Sequence, residues 1–305
     1  MIRYLYRTIR HGKPRLLDKP RVGCWVDVLA PNPKELEELT TKLKLDPGML
    51  TDALDPYEVP RIEKEGSALY IFVRVPCVIK GWETTTPILF VLSETFFVTI
   101  AQIETGISQQ LETDPSFCTS QKNKCFILFM SYVLHRYQHA ITQIGKKANA
   151  MLAQIETVGN KEVIQLVQNE QVINEFLSAI IPIHESLQRF MNGKLINLFK
   201  DDIELLEDVY LTSGQLIALA KNQLMLLRNS RDAYSTIMTN NLNSVVKLFT
   251  ALTVVLTLPT IVFSFYGMNV HLPLAEHPLA FIAILLGTVL ALIGMLLYLF
   301  KRDWI

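Results

Sequence analysis

The sequence predicts an α+β cytoplasmic domain that leads, through a long α-helical stalk, into a two-helix transmembrane hairpin. Three observations carry that expectation. Two charge-free apolar segments sit at the C-terminal end, the first hundred residues hold short β-type runs bounded by turn residues, and the region between repeats apolar residues at spacings of three and four. Composition agrees: half of the 305 residues are hydrophobic, 19% are charged, and mean hydropathy is +0.26. A disordered chain needs the opposite balance. Twenty-nine Lys and Arg offset twenty-nine Asp and Glu, so no basic surface points to nucleic acid as a partner.

Residues 1–113 form the α/β part. Runs at 23–29, 69–75, 88–92 and 96–100, rich in Val, Ile, Phe and Leu, read as strands. Pro33 opens a helix after Asn32, with Leu36, Leu39 and Leu43 on one face. Seven basic residues precede Val22 and read as a solvated face, with attraction to anionic lipid as the alternative. No apolar signal core accompanies them, so secretion is not expected. Cys24, Cys77, Cys118 and Cys125 include no C-x-x-C pair and read as free, mostly buried thiols of a reducing compartment.

Residues 114–197 form an antiparallel helical pair. Asp114-Pro115 reads as a helix start, and Met130, Val133, Leu134, Tyr137, Ile141, Ile144, Ala148, Met151 and Ile155 keep the helical period until Gly159. A second helix spans about 161–191 and stops at Asn192-Gly193; Pro182 inside it kinks it or removes a backbone hydrogen bond. A third begins near Leu198 and meets no proline until Pro259, which predicts one helix over 198–266, about 100 Å long at 1.5 Å per residue. Its cytoplasmic stalk, 198–246, cannot stand alone. The helical pair, with copies from other subunits, supplies packing partners.

The membrane part follows. Residues 248–270 and 278–300 each lack charge over a length that exceeds the roughly 20 residues a bilayer requires. The alternative is a pair of buried helices in a large soluble core. The first transmembrane helix is assigned to 247–266, the outer loop to 267–277, the second transmembrane helix to 278–300 and a basic tail to 301–305. Lys247, Lys301 and Arg302 flank the spans while the loop has no Lys or Arg, so both termini of this multi-pass cell-membrane protein are expected in the cytoplasm.

Thr250, Thr253, Thr257, Thr260 and Ser264 follow at spacings of 3, 4, 3 and 4 and so form one hydroxyl stripe, with Val246 and Asn243 continuing it downward. Such hydroxyls line a water-filled path; alternatively they bond their own i−4 carbonyls or join helices. Two spans cannot enclose a hole, so a pore needs several copies, with the striped helix inside. Gly287 and Gly294, seven apart, would let the second span pack closely against the first.

The stripe ends at Tyr266-Gly267-Met268-Asn269. Gly-Met-Asn after Tyr, followed by a short loop and a second span ending Lys-Arg-Asp-Trp-Ile, resembles the CorA family of magnesium transporters. The match extends to Leu258-Pro259-Thr260, Asp208-Val209-Tyr210, Ile181-Pro182-Ile183-His184-Glu185, and Leu50-Thr51-Asp52-Ala53-Leu54 with Pro60-Arg61-Ile62-Glu63. The resemblance implies a funnel-shaped homopentamer in membrane lipid, five first spans lining its pore and five Gly267, Met268, Asn269 loops forming the selectivity ring. Mg²⁺ prefers octahedral oxygen and sheds water reluctantly, which suits a ring of neutral carbonyl and amide oxygens that hold the hydrated ion by its waters. By the same resemblance Asn243, Val246 and Phe249 constrict the cytoplasmic mouth. Thr257 stands where relatives often carry Met. Asp52 and Asp208 align with the acidic pair that binds regulatory Mg²⁺ between subunits, so Mg²⁺ is both substrate and regulatory ligand, and no cofactor is expected.

In the outer loop, five copies of Glu276 would concentrate cations. His271 and His277 raise a softer metal, Zn²⁺, Co²⁺ or Ni²⁺. His135 and His139, at i and i+4, lack a third ligand in sequence and read as surface or interface residues. Phosphate-binding glycine loops, H-E-x-x-H and nucleophile elbows are absent, so no enzyme is expected. The reading is a divalent-cation channel gated by intracellular Mg²⁺, with a Zn²⁺ transporter of the same superfamily or a non-conducting tethered sensor as alternatives.

Overall fold

Strands that are apolar on both faces must be covered on both faces, and the runs at 69–75 and 88–92 leave no polar side. The structure, a computed structural model, meets that demand with helices above and below one sheet. It describes residues 1–9, 14–152, 160–193, 198–270, 272, 278–302 and 304. Seven strands, β1 (Ile2–Tyr6), β2 (Arg15–Leu17), β3 (Trp25–Leu29), β4 (Arg61–Glu65), β5 (Ala68–Ile79), β6 (Trp82–Leu92) and β7 (Phe97–Ala101), pair in the order β2-β1-β3-β7-β6-β5-β4. All neighbours are antiparallel except β3 and β7, which run parallel with Trp25 opposite Phe97.

Alternation along β5 and β6 sorts side chains between two cores. Ile71, Val73, Ile88 and Phe90 face one side, and Tyr70, Phe72, Leu89 and Val91 face the other. The second side is closed by α1 (Pro33–Leu43) and α2 (Pro47–Asp52), which contribute Leu39, Leu43 and Leu50. Asn32 caps α1 as expected, its side chain accepting from the Glu35 amide while the Glu35 carboxylate accepts from the Asn32 amide. The first side is closed by α3 (Ile107–Thr113), α4 (Lys122–Leu152), α5 (Asn160–Met191) and the first part of α6 (Lys200–Tyr266). Glu175 fastens α5 to the sheet: one carboxylate oxygen accepts from the Thr84 hydroxyl at 2.8 Å, the Thr85 amide at 2.7 Å and the Thr85 hydroxyl at 2.6 Å.

The chain divides into two units, Met1–Arg231 and Asp232–Ile305. The second holds the rest of α6 and α7 (Ala280–Lys301), the two helices of the chain long and apolar enough to cross a membrane among the described residues.

Several expectations need correction. Asp114 does not start a helix: it is the C-cap of α3, with extended backbone ahead of Pro115, and α4 begins only at Lys122. Its carboxylate is occupied by the Ser116 amide, the Ser116 hydroxyl and the Tyr132 hydroxyl. Strands β1, β2 and β4 were not expected, because their charged residues mask the alternation. The basic N-terminal segment is not simply a solvated face. Arg3 pairs with Asp27 and Glu112, and the buried Arg7 guanidinium donates to the carbonyls of Glu112, Asp114 and Pro115 at the end of α3. Helix α5 runs through Pro182 and α6 through Pro259. Gly193, with φ of +69°, follows α5 as a left-handed stop. Gly159 and Ile155 lie outside the described residues. All four cysteines are free; Cys24, Cys118 and Cys125 are buried and Cys77 is half-buried.

Candidate ion pathway

A helix that is apolar over most of its surface and leaves that surface exposed must find another solvent than water. The second half of α6 is such a helix. Leu248, Leu252, Leu256, Ile261 and Phe263 are exposed, as are Asn243, Val246, Phe249, Thr250, Thr253, Thr257, Thr260 and Ser264. In the uninterrupted α-helix seven of these last eight follow at alternating spacings of three and four and so share one face, with Phe249, next to Thr250, at its edge. The hydroxyls of Thr250, Thr253, Thr257 and Thr260 donate to the carbonyls of Val246, Phe249, Thr253 and Leu256 at 2.7–2.8 Å. Each proton is thereby committed to the helix itself. Each oxygen keeps lone pairs that point outward as acceptors. The alternative of i−4 bonding is realised, and the polar stripe persists with it.

The helix ends at Tyr266. The Gly267 amide donates to the Phe263 carbonyl at 2.9 Å and the Met268 amide to the Phe265 carbonyl at 3.3 Å, so the Gly-Met-Asn turn is anchored on the last helical carbonyls. A Cβ on Gly267 would stand 3.2 Å from the Phe263 carbonyl oxygen, a tight approach that glycine avoids. Met268 and Asn269 are exposed. Glu276, His271 and His277 lie outside the described residues. Between Leu248 and Asn269 no side chain is acidic or basic.

Beyond residue 234, the buried positions of the second unit among the described residues are Ala251, Thr288 and Leu299. Within the single chain, nothing among the described residues lies within 4 Å of a Cβ built on Gly287 or Gly294. Seven-residue spacing puts two glycines on one face of a helix but does not say which neighbour that face meets.

The regulatory candidates belong to the Met1–Arg231 unit. Asp52 ends α2, and Arg61 Nη2 donates to its carboxylate at 2.7 Å. Arg61 also pairs with Glu58 and Glu63 and rests on the Phe72 ring, 4.1 Å from its centroid. Asp52 therefore already has a cationic partner. Asp208 is exposed on α6. No hydrogen bond or ion pair joins the two within the chain, among the described residues.

Sequence reasoning missed how two of its motifs meet. The His184 ring stacks on Tyr210, centroids 4.4 Å apart and planes 13° from parallel. The buried Ser213 gives its proton to the Tyr210 carbonyl at 2.6 Å, which leaves its oxygen to accept from His184 Nδ1 at 2.7 Å. The Ile-Pro-Ile-His-Glu turn of α5 is thus fastened to the Asp-Val-Tyr turn of α6, directly beside Asp208. Glu170 ties the same helices further along, pairing with Arg231 at 3.2 Å. His135 and His139 are exposed on α4, and no cluster of three metal-ligating side chains occurs among the described residues.

An α/β domain whose last helix continues into the first of two apolar spans is the plan of a membrane protein with most of its mass outside the bilayer. A model of the family described as "CorA-like Mg2+ transporter protein" matches residues 21–302, and the chain belongs to that CorA family. A curated relative, the cobalt/magnesium transport protein CorA of Methanocaldococcus jannaschii, is 22% identical over 290 residues, which cover 92% of this chain and 91% of the relative. The complete structure of the CorA magnesium transporter from that organism superposes with a TM-score of 0.86 at 20% identity, covering 100% of this chain and 99% of that one. The full-length CmaX protein matches with a TM-score of 0.77 at 15% identity, over 99% and 97%. At these identities the structural matches speak for the fold.

Proposed function

We propose that the chain is a divalent-cation channel, a conduit and not a catalyst, that passes hydrated Mg²⁺, with Co²⁺ and Ni²⁺ as further passengers. Five copies surround one pore lined by the second half of α6, with both termini in the cytoplasm. The observation that carries this reading is the hydroxyl stripe from Thr250 to Ser264, running into Gly-Met-Asn with no acidic or basic side chain between Leu248 and Asn269. A hydrated cation presents water hydrogens outward. Threonine oxygens whose own protons are spent on the backbone meet those hydrogens purely as acceptors. A ring of Gly267 carbonyls and Asn269 amides continues that chemistry at the outer mouth, neutral enough to release the ion. A proton relay, by contrast, needs ionisable groups in the membrane.

Closure falls at the cytoplasmic end, where rings of Val246 and Phe249 would dewet the path. Asp208, with Asp52 of a neighbouring subunit, senses internal Mg²⁺. Arg61 already holds Asp52 in the chain, so a divalent ion at that site works against an existing ion pair. The softer-metal reading predicts a different winner in competition for the same pore.

Uptake of Mg²⁺ into vesicles containing the purified protein tests the proposal, wild type against Asn269→Ala. Losing one amide hydrogen bond per subunit at about 1 kcal/mol each lowers flux by tenfold or more. Flux unchanged in Asn269→Ala removes the selectivity ring. Zn²⁺ that outcompetes Mg²⁺ reassigns the cargo.

A further inference from the structure

We propose that a groove on the Met1–Arg231 unit, remote in sequence from the spans, binds a small ligand through a single oxyanion, phosphate or carboxylate, on the guanidinium of Arg136. The groove has a volume of about 680 Å³ and runs between the outer face of α4, the end of β5 and the loop after β7. Arg136 lines it, flanked by His135 and His139 on α4, with Cys77 and Thr105 opposite.

The case rests on a contrast among arginines. Among the described residues, the other buried or half-buried arginines of this unit all have acceptors. Arg3 has Asp27 and Glu112, Arg7 three carbonyls, Arg61 three carboxylates, Arg74 the Thr85 hydroxyl and three carbonyls, and Arg231 has Glu170. Arg136 is half-buried, yet no described residue accepts a hydrogen bond from it or pairs with it. Burial lowers its pKa, as it does for a cation without a countercharge. A guanidinium is a rigid fork suited to two coplanar oxygens, and a partly desolvated one gains most from finding them. Room for the fork is kept by Gly106, whose Cβ would stand 3.1 Å from Arg136 Nη2 and whose φ of +73° favours glycine.

The remaining polar groups narrow the ligand. The Tyr132 hydroxyl is committed to Asp114 at 3.0 Å, so it does not compete for the anion. His135 and His139 add imidazole N–H donors beside the fork. Glu104 and Glu83 also border the groove and repel extended polyanions, which limits the occupant to one oxyanion group. Val78, Ile103 and Ala140 leave apolar wall for a short organic tail. This inference stands whether or not the chain conducts.

Cys77 supplies the test, because it alone of the four cysteines is not buried. The full-length protein in nanodiscs is alkylated with N-ethylmaleimide, and modification of Cys77 is followed by mass spectrometry, with sodium phosphate or sodium acetate against sodium chloride at equal ionic strength. The proposal expects an oxyanion to slow alkylation, by about threefold once it exceeds twice its dissociation constant. Protection by phosphate alone assigns a phosphoryl ligand, and protection by acetate alone a carboxylate. Arg136→Gln, verified as folded by circular dichroism, should lose the protection, and Arg136→Lys should keep only part of it. Equal rates in all three salts, or full protection surviving in Arg136→Gln, overturn the proposal. Should Arg136→Gln fail to fold, the wild-type comparison of the three salts still decides.

Discussion

The two halves of α6 obey different solvents. Before residue 232, Leu206, Val209, Ser213, Leu216, Ala220, Leu224, Leu227 and Ser230 are buried at helical spacing, and the helix meets α4 and α5 within its own chain. After residue 234 a single position of α6, Ala251, is buried among the described residues, although the sequence becomes more apolar. The first half is an amphipathic helix whose apolar stripe is met by neighbours. The second inverts the pattern, apolar nearly all round with one polar stripe. One continuous hydrogen-bonded rod therefore serves as core element in one half and, on the reading proposed above, as lipid-facing pore wall in the other.

The largest expected effect separates the halves by stability. Leu216→Ala empties a fully packed site and should destabilise the folded protein by about 2–5 kcal/mol, whereas Leu256→Ala, exposed in the chain, should change unfolding midpoints by no more than about 0.5 kcal/mol. Thermal or denaturant unfolding followed by circular dichroism measures both. Equal losses would mean that the second half packs within its own chain after all.

A second experiment asks whether the stripe, and not mere apolarity, matters. Thr253→Val keeps the side-chain shape and removes one outward acceptor per subunit, so at roughly 1 kcal/mol each Mg²⁺ flux should drop at least about fivefold. Val255→Leu on the opposite face should leave flux intact. If both variants conduct alike, the stripe is helix-joining polarity and not a path.

The regulatory reading gives a smaller signal. Asp208→Lys should flatten the inhibition of uptake by Mg²⁺ trapped inside the vesicles while leaving maximal flux near wild type. Retained inhibition would leave Asp208 an ordinary exposed carboxylate beside the His184–Tyr210 stack.

The smallest effect belongs to acid. Burial pushes the Asp114 carboxyl up, but bonds from Ser116 and Tyr132 outweigh it and hold the group below the usual carboxylate range. A group depressed in the folded state contributes stability above its unfolded value, near 3.9, and loses that contribution as pH falls through its folded value. Asp114→Asn should therefore narrow the gap between unfolding midpoints at neutral pH and at pH 3. A gap as wide as in wild type would remove Asp114 from the acid response.

Much of this was legible along the chain. Expected bounds of 198–266 for the long helix compare with Lys200–Tyr266, and both spans fell where charge is absent. The Asn32 cap and the Asn192-Gly193 stop were readable because each acts within one turn. Elements with mixed signals were not. Arg61–Glu65 alternates charges at a sheet edge and carries no apolar run. Asp114 suits either end of a helix, and contacts with Ser116 and Tyr132 settled which. Within the candidate site, the face shared by the threonines was readable from spacing, while the commitment of their protons to the backbone required coordinates.

Sequence alone determined the periodic and compositional features: where the spans lie, that Asn243 to Ser264 share a face, and that the strands need cover on both sides. These follow from hydrophobicity and helical pitch, which act over a few residues. Tertiary structure alone decided that Trp25 lies beside Phe97 in a parallel pair, that Arg61 holds Asp52, that His184 stacks on Tyr210, and that the half-buried Arg136 has no acceptor among the described residues. Those facts join groups far apart in the chain, and only closure of a common core, which buries some charges and not others, selects among the partners each could have had.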